Sequence, residues 1–181
     1  MRQQGSYIEV AKLINHIDVN SVDLQTALNL VNAEITAIQV EIKNQDNIME
    51  GMNSITGLED EYLQRQNLSA ELIIKQNILD QILEEINDEY TNDLNAAIYA
   101  NNSLTPAGSK QSEEKLLNSM YLNHLSGVQY SQAEINTLQS LSARCIVDHG
   151  NTVLYAQSLL PISNNYYREP QMFCNQAPQS P

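Results

Sequence analysis

The chain has no tryptophan, one phenylalanine and only two cysteines, so large aromatic rings cannot dominate its core. Leu, Ile, Val and Ala supply most of the apolar material, which suits helix-on-helix packing, where aliphatic side chains interdigitate. Basic residues are also scarce, with nine Lys and Arg against 22 Asp and Glu, a formal charge of −13. The imbalance is uneven. Residues 1–100 hold 17 acidic and 5 basic side chains, a net of −12, and residues 101–181 hold 5 and 4, a net of −1. A surface that acidic repels phosphate backbones and anionic lipid, which excludes nucleic-acid binding through a basic patch and adsorption to a membrane surface. No apolar run approaches the ~20 residues of a spanning helix, so membrane insertion is not expected. The start, Met1-Arg2-Gln3-Gln4-Gly5, lacks the apolar core of a secretory signal. Two expectations follow: a cytoplasmic protein, or a mature segment carrying an added initiator Met. At 181 residues the chain is long enough for one domain with a real core and an appended subdomain.

What the chain does have is periodicity. Leu24, Leu28, Val31, Ile35, Ile38 and Ile42 alternate by four and three, the 3.5-residue repeat of a helix facing a partner helix. Gln45 interrupts this ladder. After Gly51–Gly57, with a breaker at each end, apolar residues resume at Leu58 and Tyr62, then at Leu72, Leu79, Leu83, Ile86 and Tyr90. Two such seams joined by a short connector predict an antiparallel αα-hairpin. Asn and Gln make up about a fifth of the chain and read as solvated helix faces.

The remaining elements fall on either side of that pair. Tyr7, Ile8, Val10, Ala11, Leu13, Ile14 and Ile17 predict a short first helix. Asn20 or Ser21 is placed to cap the next one, with Asp23 in its first turn where the helix dipole favours negative charge. Ser54 or Thr56 is placed to cap the second long helix, which runs to about Tyr99. The stretch Asn101–Ser109, with Pro106 and Gly108, is the strongest loop signal, and it divides the chain into 1–104 and 105–181. A helix opening at Ser112 and ending at Gly127 follows. Ser131 and Glu134 make a capping box for another helix that reaches Cys145. A short helix then runs from Thr152 to Leu160, ended by Pro161, and the tail from Ile162 reads as irregular.

Few residues carry a chemical pattern. Cys145 and Cys174, 29 apart, form a disulfide, two buried thiols or half of a metal site. A disulfide would pin the tail to the helix ending at Cys145, worth roughly 3–4 kcal/mol in the entropic model, and would imply an oxidising compartment. Cys145 and His149 lack a second Cys-His pair to complete a tetrahedral zinc site. As nucleophile and base they lack a third, orienting group. Glu85 with Asp88 or Glu89 lies on one helical face, as a divalent ion would need, yet neither an EF-hand loop nor a Glu-x-x-His pair accompanies them. No phosphate loop, dinucleotide fingerprint or serine triad is present. Neither catalytic, metal nor cofactor residues are therefore expected.

The stretch Ile135–Cys145, followed by Gly150-Asn-Thr-Val-Leu-Tyr-Ala-Gln-Ser-Leu-Leu160 and a closing Cys174, resembles a segment near the C-terminal end of large secreted Bacteroidetes proteins. In those chains an IA-x-x-CP helix end precedes GG-x-AVY-x-AR and a second cysteine, with a type IX sorting domain beyond. Ile146 stands here where that pattern has Pro, His149-Gly150 replaces the double Gly, and Gln157-Ser158 replaces Ala-Arg. The match covers about 40 residues. It implies a secreted or cell-surface location, a Cys145–Cys174 bridge, and a longer parent chain.

The expectation is an all-α protein: a long antiparallel hairpin with a smaller helical unit pinned by a disulfide. Its function is expected to be a non-enzymatic structural or protein-interaction segment, whose partners are other proteins, other domains of the parent chain, or a second copy through the seam. The competing expectation is a cytoplasmic or phage coiled-coil adaptor. Ile73, Ile74, Ile78 and Ile82 widen the second helix's apolar face beyond one stripe, which predicts a third helix upon it, the one spanning Leu116–Leu125.

Overall fold

A computed structural model of the chain describes residues 2–17, 21–52 and 57–160. Among them every regular element is helical: α1 (Arg2–Ile17), α2 (Val22–Gly51), α3 (Leu58–Asn102), α4 (Ser109–Leu125), α5 (Gln132–Ser142), α6 (Ile146–His149) and α7 (Asn151–Leu159). The all-α expectation holds. Ser54, Thr56, Cys174 and the tail beyond Leu160 lie outside the described residues.

The helix ends follow from local chemistry. Ser21 caps α2, its Oγ accepting from the Leu24 amide at 3.4 Å. Ser131 and Glu134 close the capping box of α5: Glu134 N–H donates to Ser131 Oγ at 3.3 Å, and Ser131 N–H donates to the Glu134 carboxylate at 2.7 Å. That backbone donor holds the Glu134 carboxyl below its ordinary value. Gly127, at φ +84°, ends α4 in a Schellman turn. Val128 N–H returns to the Asn123 carbonyl and Gly127 N–H to the His124 carbonyl, geometry that a left-handed residue permits and glycine adopts without strain. The α5 helix stops at Ser142, short of Cys145, which instead occupies the cap position of α6.

Two compact units divide the chain, Asp18–Asn92 as one and Met1–Ile17 with Asp93–Pro181 as the other. The division falls within α3 and not at the Asn101–Ser109 loop. In the second of these units α7 packs chiefly on α5, and also on α4 and α6. Leu117, Met120, Leu138, Leu141, Ala156, Leu159 and Leu160 form its core, with Tyr121, Tyr130 and Tyr155 around them. Tyr7, Val10, Ile14 and Ile17 bury one face of α1. The Tyr7 hydroxyl donates to the Gln111 carbonyl at 3.2 Å, and His16 pairs with Asp93 at 2.9 Å. The α3–α4 corner is clamped by side chains. Buried Asn101 donates to the Lys115 carbonyl and Ser119 Oγ, while Lys115 Nζ caps the end of α3 at the carbonyls of Asn102 (2.9 Å) and Leu104 (2.7 Å).

The tyrosine shell has a pH consequence. Burial first, and the neighbouring Tyr121 second, push the Tyr130 hydroxyl up to about 12 and raise Tyr155 as well. An unfolded tyrosine ionises near 10.0. Stability from these groups is thus complete below pH 10 and is lost as pH rises through 12. In an alkaline titration, part of the tyrosinate absorbance should appear only together with loss of the helical circular dichroism signal. Full ionisation at the ordinary value with the helices intact would remove the argument.

In the Asp18–Asn92 unit, the inward positions of α2 are those the spacing predicts. Val31 and Ile38 are buried, and Leu24, Leu28, Ile35 and Ile42 are half-buried. Gln45 does not break the ladder. It occupies the next rung, buried to nine-tenths, because its amide Nε2 finds Gln64 Oε1 at 2.5 Å. Three side-chain bridges join the helices: Glu34 to Lys75 (2.8 Å), Gln45 to Gln64, and Asp46 to Arg65 (2.5 Å). On α3 the inward series is Glu61, Arg65, Leu68, Leu72, Lys75, Leu79, Ile82, Ile86 and Tyr90. Leu58, Tyr62 and Leu83, expected in this seam, are exposed.

Of the face on which the sequence predicts α4, Ile82 is buried and Ile78 half-buried, and the other two residues are exposed. Ile73 and Ile74 are each 58 % exposed. Leu117 and Met120 of α4 are instead buried in the core built with α5 and α7. Polar bridges to α2, and not hydrophobic count, decide which stripe of α3 turns inward.

Candidate functional site

Two places warrant description, one in each unit. Around Cys145, the structure brings together residues that are remote in sequence. Glu113, projecting from the first turns of α4, receives a hydrogen bond from Arg144 Nη1 at one carboxylate oxygen. Its other oxygen lies 3.5 Å from His149 Nδ1, longer than a hydrogen bond, and both atoms are otherwise without a partner. Cys145 sits between Arg144 and His149, and its carbonyl accepts from the His149 amide at 2.9 Å. Glu113 is the third group that a reading limited to Cys145 and His149 misses. Its identity as a carboxylate is plain in the sequence, but 31 residues separate it from Arg144, and only packing closes that distance. The arrangement ties α4 to the α5–α6 corner through an ion pair that is largely buried on the Glu113 side.

The other histidines have separate neighbours. His16 faces Asp93, and His124 stacks on Tyr130 with ring centroids 4.9 Å apart. Glu85, Asp88 and Glu89 are exposed on α3. Among the described residues no group of His, Cys, Asp and Glu is gathered tightly enough to hold a metal ion. None of the described helices is long and apolar enough to cross a membrane.

The second place is an open groove of about 460 Å³ between α2 and α3. Buried Gln45 and half-buried Leu68 line it together with the exposed Glu41 and Ile48 of α2 and the exposed Gln64 and Glu71 of α3. Gln45 supplies an unusual group. Its Nε2 is used by Gln64, but its Oε1 is buried and accepts from no donor, a state that costs about 1–3 kcal/mol. Asn44 and Asn67 also line the groove. One heptad from Asn44 lies Ala37, and one heptad from Asn67 lies Ile74; both are exposed. The stripe Leu30, Ala33, Ala37 and Val40 alternates by three and four along α2, so an exposed apolar track leads out of the groove. The periodicity that marks Val31 and Ile38 as inward conceals this second stripe, one position aside.

No protein-family model, curated protein or solved structure matches the chain.

Proposed function

We propose that the chain is a non-enzymatic structural or protein-interaction segment of a secreted or cell-surface protein. In this reading α2 and the first part of α3 form a long antiparallel hairpin, and a Cys145–Cys174 bridge pins the end of the chain to the smaller helical unit. Glu34 on α2 bridges Lys75 on α3, whereas Gln45 and Asp46, further along α2, bridge the earlier Gln64 and Arg65, a reversed order that supports the hairpin. The observation that carries the interaction role is surplus apolar surface. The hairpin buries Val31, Ile38 and Ile82 but leaves Leu30 at 59 % and Val40 at 54 % exposed, and Ile73 and Ile74 exposed as well. Large aliphatics in that arrangement mark a surface meant for another chain or domain. Location and disulfide rest on the resemblance to Bacteroidetes type IX passenger segments.

Alkylation of the native chain without reductant, followed by mass measurement, tests the location. No adduct is expected. Two adducts would place the chain in a reducing compartment and favour the cytoplasmic or phage adaptor. One adduct, formed at Cys145 much faster than on a free thiol, would revive a Cys145–His149 nucleophile with Glu113 orienting the base.

A further inference from the structure

We propose that the groove centred on Gln45 receives an amphipathic helix of a partner protein, with Arg or Lys side chains directed at Gln45, Glu41 and Glu71. The inference rests on the interaction reading above and names the chemistry of the partner. Three observations converge on it. The first is Gln45, which lines the groove and whose buried Oε1 accepts from no donor among the described residues. A buried acceptor in an otherwise satisfied seam is stabilised by an incoming cationic donor, because charge-assisted hydrogen bonds are roughly twice as strong as neutral ones. The second is the pair of carboxylates that line the groove, Glu41 from α2 and Glu71 from α3. Among the described residues neither has an ion-pair partner, whereas Glu34 and Asp46 do.

The third is the charge of the unit as a whole. Asp18–Asn92 carries 15 acidic and 3 basic side chains, a net of −12. Two of those three cations, Arg65 and Lys75, are already bridged to α2. A second copy of the hairpin would bring −12 against −12, which disfavours self-association through this face. A basic helix meets complementary potential. The helical form follows from the track itself. Leu30, Ala33, Ala37, Val40 and Ile48 extend over 18 residues of α2, about 27 Å at 1.5 Å per residue, with Ile74 flanking on α3. A third helix laid along that track covers apolar surface over its whole length while its flanking cations reach the groove walls.

The probe is a fluorescein-labelled helical peptide of about three heptads, with Leu at the core positions and Arg on both flanks. A second peptide carries Glu in place of each Arg. Both are titrated against the full chain by fluorescence anisotropy at low salt. The Arg peptide is expected to bind about tenfold or more tightly than the Glu peptide, a difference of about 1.4 kcal/mol or more. The double variant Glu41→Gln, Glu71→Gln should weaken it by about tenfold. The matched-charge control Glu50→Gln, Asp80→Asn, two exposed residues outside the lining of the groove, should change affinity by less than about twofold. Gln45→Leu should raise the melting temperature, since the unmet acceptor is gone, and at the same time weaken the peptide; a purely structural Gln45 would move only the first.

Equal losses in both double variants would mean diffuse attraction to an acidic surface and would overturn the groove. So would tight binding of the Glu peptide, or no binding by either. Sedimentation showing a dimer that the Arg peptide dissociates would assign the groove to a second copy. If the peptides fail while alkylation still finds no thiol, the groove alone falls and the structural reading stands.

Discussion

Leu138→Ala is expected to lower the unfolding free energy by about 3 kcal/mol, with a matching fall in the urea midpoint followed by circular dichroism. Leu138 is fully buried at the centre of α5, in the core it shares with Leu117, Ala156 and Leu159. Truncation loses the transfer free energy of the side chain and leaves a cavity that rigid helical neighbours fill only in part. Leu-to-Ala changes at such sites cost about 2–5 kcal/mol. Ala156 has no side chain that could swing into the space, which argues for the middle of that range. Leu154→Ala is the internal comparison. Leu154 belongs to α7, which packs on α5, but is 45 % exposed, so its truncation should cost less than about 1 kcal/mol. Equal costs at the two positions would mean that α5 and α7 do not meet through Leu138.

A still larger effect is expected for Ile38→Asp. Ile38 is buried on α2 at the middle of the inward ladder. The new carboxylate would be desolvated among aliphatics, and the two cations that bridge the helices, Lys75 and Arg65, are already engaged by Glu34 and Asp46. The penalty is on the order of 3–5 kcal/mol, or the helices separate so that the charge reaches water. Thermal melting should show early loss of the signal from α2 and the facing part of α3. Ile74→Asp, at an exposed position on α3, should leave the melt within about 0.5 kcal/mol of the parent. The pair of variants tests the register directly. A silent Ile38→Asp would show that this stripe is not the surface α2 buries.

The contrast between the two long helices explains how far the sequence is readable. On α2 the six residues Leu24, Leu28, Val31, Ile35, Ile38 and Ile42 fall on one stripe at a single period, and that stripe is the one turned inward. On α3 they are distributed around the helix, with Leu63, Ile73, Ile74 and Leu83 outside and Leu68, Leu72, Leu79 and Ile82 inside. A count of hydrophobics cannot choose among such stripes. The choice is made by Lys75 and Arg65, polar residues that occupy inward positions because α2 offers carboxylates there. Gln45 escaped notice for a related reason: a glutamine in an apolar ladder looks like an interruption until its partner across the seam is known. The caps at Ser21 and Ser131 were legible because their donors lie within three residues. Glu113 was not, since its association with Arg144 and His149 exists only after α4, α5 and α6 have come together.

The three bridges between α2 and α3 also bear on how this stretch of the gene tolerates change. Slipping the helices by one heptad would move Lys75 about 10 Å from Glu34 and leave Gln45 facing a residue other than Gln64. Alignment is therefore encoded along the helices themselves, at Glu34, Gln45 and Asp46, and not in the stretch that joins them. Doubling the length of a connecting segment costs only about 0.6 kcal/mol in closure entropy. Residues inserted between Met52 and Gly57 should accordingly be neutral drift, whereas a single residue inserted at Asn44 would rotate everything beyond it by about 100° and act as a null allele.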